Sequence, residues 1–231
     1  ISQLGLTCLV YPGALHTRFH HAVGAMHLMR KAISVLRKKG HNISDDEAEG
    51  AKIAILLHDI GHGAYSHALE HSIVENVSHE DLSLFYMKKL NKEFSGKLNL
   101  AIKIFKGNYN KKYLHQLVSS QLDMDRIDYL NRDSFYSGVQ EGVVGVERII
   151  NMLNVVDNKL VVESKGIYSV EKFLISRRFM YWQVYYHKTV VSAEQMLIKI
   201  LQRAKELSQN NIELFGTSSL HLLLKNNFNL N

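Results

Sequence analysis

The chain has 231 residues, 46% hydrophobic and 22% charged, which is enough to bury a sizeable core and is ordinary for a soluble globular protein. Its single cysteine, Cys8, excludes an internal disulfide framework and fits a reducing compartment, so a cytoplasmic location is expected. The net charge of +6 leans only mildly toward anionic partners, and no run of about 18 uncharged apolar residues exists to span a membrane.

The chain opens at Ile1-Ser2-Gln3, without a methionine and without signal-like character, and reads as a fragment of a longer protein. Pro12 is the only proline, and helical spacing dominates the chain beyond it. Thr17 can cap a helix whose apolar positions Phe19, Val23, Met26, Ile33 and Leu36 fall on one side, with Gly40 as its stop. Ser44-Asp45-Asp46-Glu47 is a capping box that opens a helix running through Ala51, Ile53, Ala54, Ile55, Leu56 and Leu57. Ser78-His79-Glu80-Asp81 marks another helix start, leading into Leu82, Phe85, Tyr86 and Leu90. A further helix is expected over residues 114–134. Asn154-Val155-Val156 and Lys159-Leu160-Val161-Val162, separated by Asp157-Asn158, read as a short β-hairpin. After Ser169 a helical pattern runs to about residue 208. The fold class expected is all-α, a mainly helical bundle with a small β-hairpin. It forms one domain over 1–231, with its chemistry in 1–150 and the hairpin and long helical segment in 151–210.

Ten of the 13 histidines lie before residue 80, at 16, 20, 21, 27, 41, 58, 62, 67, 71 and 79. Clustering of this kind points to a site. His27, His41, His115 and His221, taken singly, read as hydrogen-bonded structural residues. His16 suits surface capping as well as ligand contact. Lysines 88, 89, 103, 106, 111 and 112 read as a solvated face, so nucleic acid is not indicated as a partner.

The stretch Leu56-Leu57-His58-Asp59-Ile60-Gly61-His62-Gly63 ends an apolar helix in polar residues. Neighbours on a helix diverge by about 100°, but at an end that breaks into Gly61 both His58 and Asp59 can turn toward one ion. Imidazole with carboxylate suits Mn, Fe, Zn or Ni, yet two ligands are too few. Two other segments qualify. Arg18 and His21 share a helix face, and in the segment from Leu122 to Asp133 a polar stripe of Arg126, Tyr129 and Asp133 runs at i, i+3 and i+7. Spacing alone does not choose among Asp123, Asp125 and Asp128.

The ordered set of His21, His58-Asp59 and Asp125 resembles the H…HD…D signature of the HD-domain metal-dependent phosphohydrolases. The likeness is greatest to the branch of dNTP and dGTP triphosphohydrolases that includes the SAM-and-HD-domain enzymes. The stretches that carry it are QLG at 3–5, YPGALHTRFHHAVG at 11–24, LLHDIGHGAYSH at 56–67, HE at 79–80 and DMDRIDYLNRD at 123–133, with a weaker match at 177–188. The resemblance implies that His21, His58, Asp59 and Asp125 hold one divalent transition metal ion, Mn, Fe, Ni or Zn, with Mg also compatible. It implies that His62, His67 and His79 serve the phosphates or move protons, with Glu70 orienting one of them where an aspartate is usual. By the same resemblance Arg18, Arg126 and Arg177 contact phosphate, and Tyr129 and Asp133 grip the sugar–phosphate end, with Asp133 near the 3′-hydroxyl. Gln3 and Leu4 match a segment against the sugar, and Tyr185 packs on the deoxyribose. The implied substrate is a dNTP, converted to deoxynucleoside and tripolyphosphate. The family further implies a homo-oligomer and an allosteric nucleotide. Other readings keep the metal site but assign another nucleotide phosphoester, or a nucleotide-sensing or nucleic-acid-binding module.

Overall fold

A computed structural model describes residues 1–63 and 77–225 of the protein. It is mainly helical, with one two-stranded antiparallel hairpin, as the sequence leads one to expect. Helix α1 (Arg18–Lys38) begins where Thr17, held extended, accepts the His20 backbone N–H on its hydroxyl. The His20 ring returns the bond to the Thr17 N–H, so a histidine takes the part that glutamate usually plays in a capping box. The buried face of α1 is His21, Ala25, Leu28, Met29, Ala32, Ile33 and Leu36. Phe19 and Val23, expected on the apolar side, are instead 73% and 39% exposed. The packed stripe begins at His21, because the helix opened by Ser44 and the helix carrying Asp125 cover that side of α1.

Helix α2 (Asp45–Leu56) has the expected capping box between Ser44 and Glu47. Glu47 is buried, and its carboxylate also accepts from Tyr109 Oη at 2.6 Å and Lys111 Nζ at 2.7 Å. Helix α3 (His79–Glu93) is capped by Ser78, with Asp81 closing the box. Helix α4 (Asn99–Phe105) lies against α2.

The single helix expected over 114–134 is two helices: α5 (Lys112–Val118) and α6 (Met124–Ser137). Ser119 is extended, and Asp123 accepts the Ser120 and Arg126 backbone N–H groups at 2.7 Å each, so a run rich in capping side chains breaks the helix. Gly138, left-handed at φ 76°, ends α6.

A short helix, α7 (Val146–Asn151), precedes the hairpin of β1 (Leu153–Val156) and β2 (Lys159–Val162), which pair from Leu153 with Val162 to Val156 with Lys159. Asp157 and Asn158 both take positive φ, the geometry of a type I′ turn.

The helical run expected after Ser169 is interrupted. Helix α8 (Ile167–Met180) widens into a π-helical turn over Tyr181–Tyr185, closed by the Tyr186 N–H on the Tyr181 carbonyl at 2.8 Å. His187 then caps α9 (Lys188–Gln209), and α10 (Ser218–Lys225) comes last. Fully buried Leu36, Ile55, Ile104, Leu117, Leu130 and Ile149 tie α1, α2, α4, α5, α6 and α7 into one core. That core sets the distance between His21 on α1, the end of α2 and the first turn of α6. Among the described residues no helix is long and apolar enough to cross a membrane.

Candidate metal centre

The turn after α2 is bent tightly by the Ile60 N–H on the Leu57 carbonyl and the His62 N–H on the Asp59 carbonyl. Gly61 has no substitute here, since a Cβ would lie 2.2 Å from the His79 carbonyl oxygen and 2.4 Å from the Ser83 nitrogen. The buried Ser83 hydroxyl accepts the Gly61 N–H at 2.9 Å and donates to the His58 carbonyl at 2.7 Å, pinning the turn to the start of α3. The result is that the His62 ring stacks on His79, centroids 4.1 Å apart.

Three ligand-type atoms, from His21, His58 and Asp125, converge where this turn meets α1 and α6, and Asp59 stands beside His58 at the edge of the group. His21 Nε2 lies 3.3 Å from His58 Nε2 and 3.0 Å from Asp125 Oδ1, and His58 Nε2 lies 3.4 Å from Asp125 Oδ1 and 3.3 Å from Asp59 Oδ1. The ligand atoms of His21, His58 and Asp125 all fall within 4.8 Å of one another. Donors held about 2.1 Å from one ion sit roughly 3 Å from each other, so the spacing fits a metal.

The donor set fits one as well. His21 Nδ1 faces Asp128 Oδ2 at 2.8 Å and His58 Nδ1 faces the Ile55 carbonyl at 2.6 Å, so each ring spends its N–H outward and turns the Nε2 lone pair inward. Asp128 is itself fixed by both arms of Arg132 at 2.8 Å. Two imidazole lone pairs and the Asp125 carboxylate facing one another, with Asp59 beside His58, suit a cation.

The charges respond to that crowding. Burial pulls the His21 imidazole down, but hydrogen bonds to Asp125 and Asp128 outweigh it and raise the group to about 10. His58 is raised in the same way, burial being outweighed by Asp59 and Asp125. Burial opposes ionisation of Asp125 and Asp59, yet both are pulled low, Asp125 chiefly by His21 and His58, Asp59 by His58, His62 and Arg18. A proton therefore competes with any cation for the same Nε2 lone pairs. Asp123 behaves in the opposite sense: burial, and after it repulsion from Asp125, pushes it up to about 7. His62 is lowered mainly by burial and favours the neutral ring.

Above these groups opens a cavity of about 470 Å³. Of the expected site residues Gln3, Leu4, Arg18, Asp59, His62, His79, Asp125, Arg126, Tyr129, Asp133 and Tyr185 line it, while His21 and His58 stand behind its floor. Arg18 Nη1 rests on Asp59 Oδ2 at 2.7 Å, and Arg126 Nε donates to the Ser120 carbonyl. Arg177 lies outside it, in a neighbouring cavity that shares Tyr181 and Tyr186, with its guanidinium over the Tyr181 ring at 5.4 Å. The expected His67 and Glu70 fall outside the described residues. His16 is not a surface capping residue: it is 2% exposed, with its ring on Asp133. His27, read as a hydrogen-bonded structural residue, is exposed, with its ring meeting Arg30.

Several groups that shape the centre are not singled out by sequence reasoning. Asp128 and Arg132 form an i, i+4 ion pair on α6, a pattern that could have suggested a supporting role. Ser120-x-x-Asp123 is a cap pattern, which would have removed Asp123 from the ligand candidates. Ser83 and Gly24 carry no signal of their own.

The protein matches the family model described as HD domain over residues 18–133 and the one described as HD associated region over residues 144–226. It is 38% identical over 214 residues to the uncharacterized protein YwfO of Bacillus subtilis, covering 90% of this chain and 49% of that one. It is 30% identical over 226 residues to the deoxynucleoside triphosphate triphosphohydrolase SAMHD1 homolog of Dictyostelium discoideum, covering 89% of this chain and 44% of that one. The chain thus spans about half the length of the curated relatives it matches. The crystal structure of a phosphohydrolase from Bacteroides thetaiotaomicron is 60% identical and superposes with a TM-score of 0.96, covering 98% of this chain and 56% of that one.

Proposed function

The chain belongs to the HD-domain phosphohydrolase family, and from that premise we propose that it hydrolyses deoxynucleoside triphosphates to deoxynucleoside and tripolyphosphate. The observation that carries the reading is one cavity with Asp59 and Asp125 at its floor and His21 and His58 behind them, Arg18 and Arg126 on its wall, and Asp133 with Tyr185 also lining it. The likeness to a relative named for that activity supports it.

His21, His58 and Asp125, with Asp59 beside them, would hold one divalent ion, which would supply acidification of a water and neutralisation of phosphate charge. Arg18, now on Asp59, is within the cavity to exchange that carboxylate for a phosphate oxygen, and Arg126 supplies a second cation. His62 and His79, stacked at the rim of the centre, lie where a proton must move. Water adds to the α-phosphorus as the bond from that phosphorus to the 5′-oxygen breaks; the neutral His62 ring takes the proton released by the water and passes it to the departing oxygen. Tyr129, Tyr185, Gln3 and Leu4 form the walls against which the nucleoside is positioned. His67, Glu70 and Arg177 remain assigned to the phosphate end by resemblance. The exposed rings of Trp182 and Tyr186, 61% and 67%, support self-association into a homo-oligomer.

The test is a panel of dNTPs and NTPs with Mn2+, Fe2+ or Mg2+, with His58→Ala as control. Turnover of dNTPs that His58→Ala abolishes is expected. Metal bound stoichiometrically with no dNTP turned over overturns the reading. A nucleoside monophosphate or cyclic nucleotide as sole substrate replaces it with another phosphoesterase.

A further inference from the structure

Four carboxylates line the main cavity, and three of them are engaged. Asp59 holds Arg18, Asp125 faces His21 and His58, and Asp133 accepts from Tyr185 and meets His16. The fourth, Glu194, is half-buried and has no hydrogen bond or ion pair among the described residues. It stands on α9 about 9 Å along the helix axis from Lys188, so it extends the wall beyond Tyr185. Leu197, three residues on, shares its face and lines the same cavity. The tight turn Gly5–Leu9 packs on α9 from the chain start. Gly5 takes φ 52°, a conformation that glycine allows, and Glu194 Oε1 lies 3.8 Å from where a Cβ of residue 5 would stand. Burial pushes the Glu194 carboxyl above the ordinary glutamate range, and no cation or donor opposes the push. The cavity arginines are engaged elsewhere, Arg18 on Asp59 and Arg126 on the Ser120 carbonyl.

An unpaired carboxylate repels the phosphates of a nucleotide, so they lie with the arginines, and the part of the cavity at Glu194 takes the base. Leu6 and Leu197 supply apolar contact there for a flat ring. A carboxylate offers acceptors only, and therefore sorts bases by the donors they present side by side. Guanine presents two adjacent donors, N1–H and the N2 amino group. Adenine and cytosine each present one amino group beside a ring-nitrogen acceptor, and thymine presents N3–H between two carbonyls. Each of those three sets an acceptor against the carboxylate. We propose that Glu194 is a specificity-determining residue that accepts the N1–H and N2–H of guanine, making the cavity selective for deoxyguanosine nucleotides. The assignment rests on the nucleotide reading above and adds the base to it.

The experiment measures kcat/KM for dGTP, dITP, dATP and dCTP in the wild type, Glu194→Gln and Glu194→Ala. dITP differs from dGTP only in lacking the N2 amino group. Dissociation constants for the matching deoxynucleosides are measured in parallel, without metal. The wild type is expected to favour dGTP over dITP about tenfold, the effect of taking one donor from a charged acceptor. Glu194→Ala brings that ratio toward one. Glu194→Gln, whose amide sets a donor beside an acceptor, loses the preference for guanine and gains on dATP, a reversal that a merely structural role does not produce. Equal rates on dGTP and dITP in the wild type overturn the proposal without any variant. An equal loss on all four substrates in both variants overturns it, and so does a guanine preference that persists in Glu194→Ala. If the wild type hydrolyses no dNTP, the enzymatic reading fails by itself. Deoxyguanosine bound more tightly than deoxyinosine then still upholds the role of Glu194, and equal or absent binding of the two overturns it.

Discussion

Gly24→Ala separates the support of the metal site from the stability of the fold. Gly24 sits on α1 where α6 crosses, and an added Cβ would lie 2.0 Å from Arg132 Nη2 and 2.1 Å from Asp128 Oδ1. Ordinary contact begins near 3.4 Å, so both groups must retreat by more than 1 Å. They are ends of side chains and can do so, but Asp128 cannot move that far and keep its 2.8 Å bond to His21 Nδ1. Helix propensity favours alanine over glycine by about 0.5–1 kcal/mol, which offsets part of the overpacking cost of about 1–3 kcal/mol. The metal-free melting temperature should therefore shift by only a few degrees. Metal affinity should fall by about 10–100-fold, the usual cost of losing the carboxylate behind a histidine ligand, or about 1.4–2.7 kcal/mol. Chelator competition with Mn2+ or Zn2+ reads the dissociation constant, and calorimetry without metal reads stability. Gly145→Ala, whose Cβ would meet only Arg148 Cβ at 3.8 Å, is the control. Wild-type metal affinity in Gly24→Ala would refute the claim that Asp128 orients His21.

The same geometry sets three further outcomes. Ser83→Ala strands the Gly61 N–H and the His58 carbonyl and should destabilise the fold by about 1–3 kcal/mol, read as a lower urea midpoint; an unchanged midpoint would show that the turn needs no pin. The Glu47 carboxyl has its burial penalty outweighed by Lys111, Tyr109 and the Ser44 N–H, so it titrates below its ordinary 4.5. The unfolded chain then takes up the proton first: the stabilisation is complete above about 4.5 and is lost as pH falls through the lower folded value, so Glu47→Gln should flatten the melting temperature over that range and not above it. Because His21 stands raised to about 10, a metal must displace its proton, and binding near neutrality should release protons and tighten by up to about tenfold per pH unit. Calorimetry in two buffers of different ionisation enthalpy measures the release, and a release of zero contradicts the ligand set.

Much of the fold was legible because it is local. Thr17, Ser44 and Ser78 announce helix starts through capping chemistry that needs only three or four residues, and Asp157-Asn158 announces its turn in the same way. The break between α5 and α6 was hidden because Leu114, Leu117, Ile127 and Leu130 keep a helical rhythm across Ser119–Asp123, while the side chain that breaks it also looked like a ligand. The π-helical turn at Tyr181–Tyr185 has no sequence pattern, since one extra residue in a hydrogen-bonded loop leaves apolar spacing almost unchanged. Within the candidate site, ordered histidines and aspartates could be matched to a family along the chain. What lay beyond reach was pairing over 100 residues apart: Asp128 behind His21, and His16 on Asp133. Such contacts exist only once α1 has packed on α6.

The central claim is that water attacks the α-phosphorus of a dNTP held over His21, His58, Asp59 and Asp125. Phosphorus NMR of a dNTP digest with Mn2+ tests it most directly. Tripolyphosphate accumulating in step with free deoxynucleoside, and absent with His58→Ala, is the predicted result. Pyrophosphate with a monophosphate, or orthophosphate with a diphosphate, would place the cleaved bond elsewhere and contradict the account.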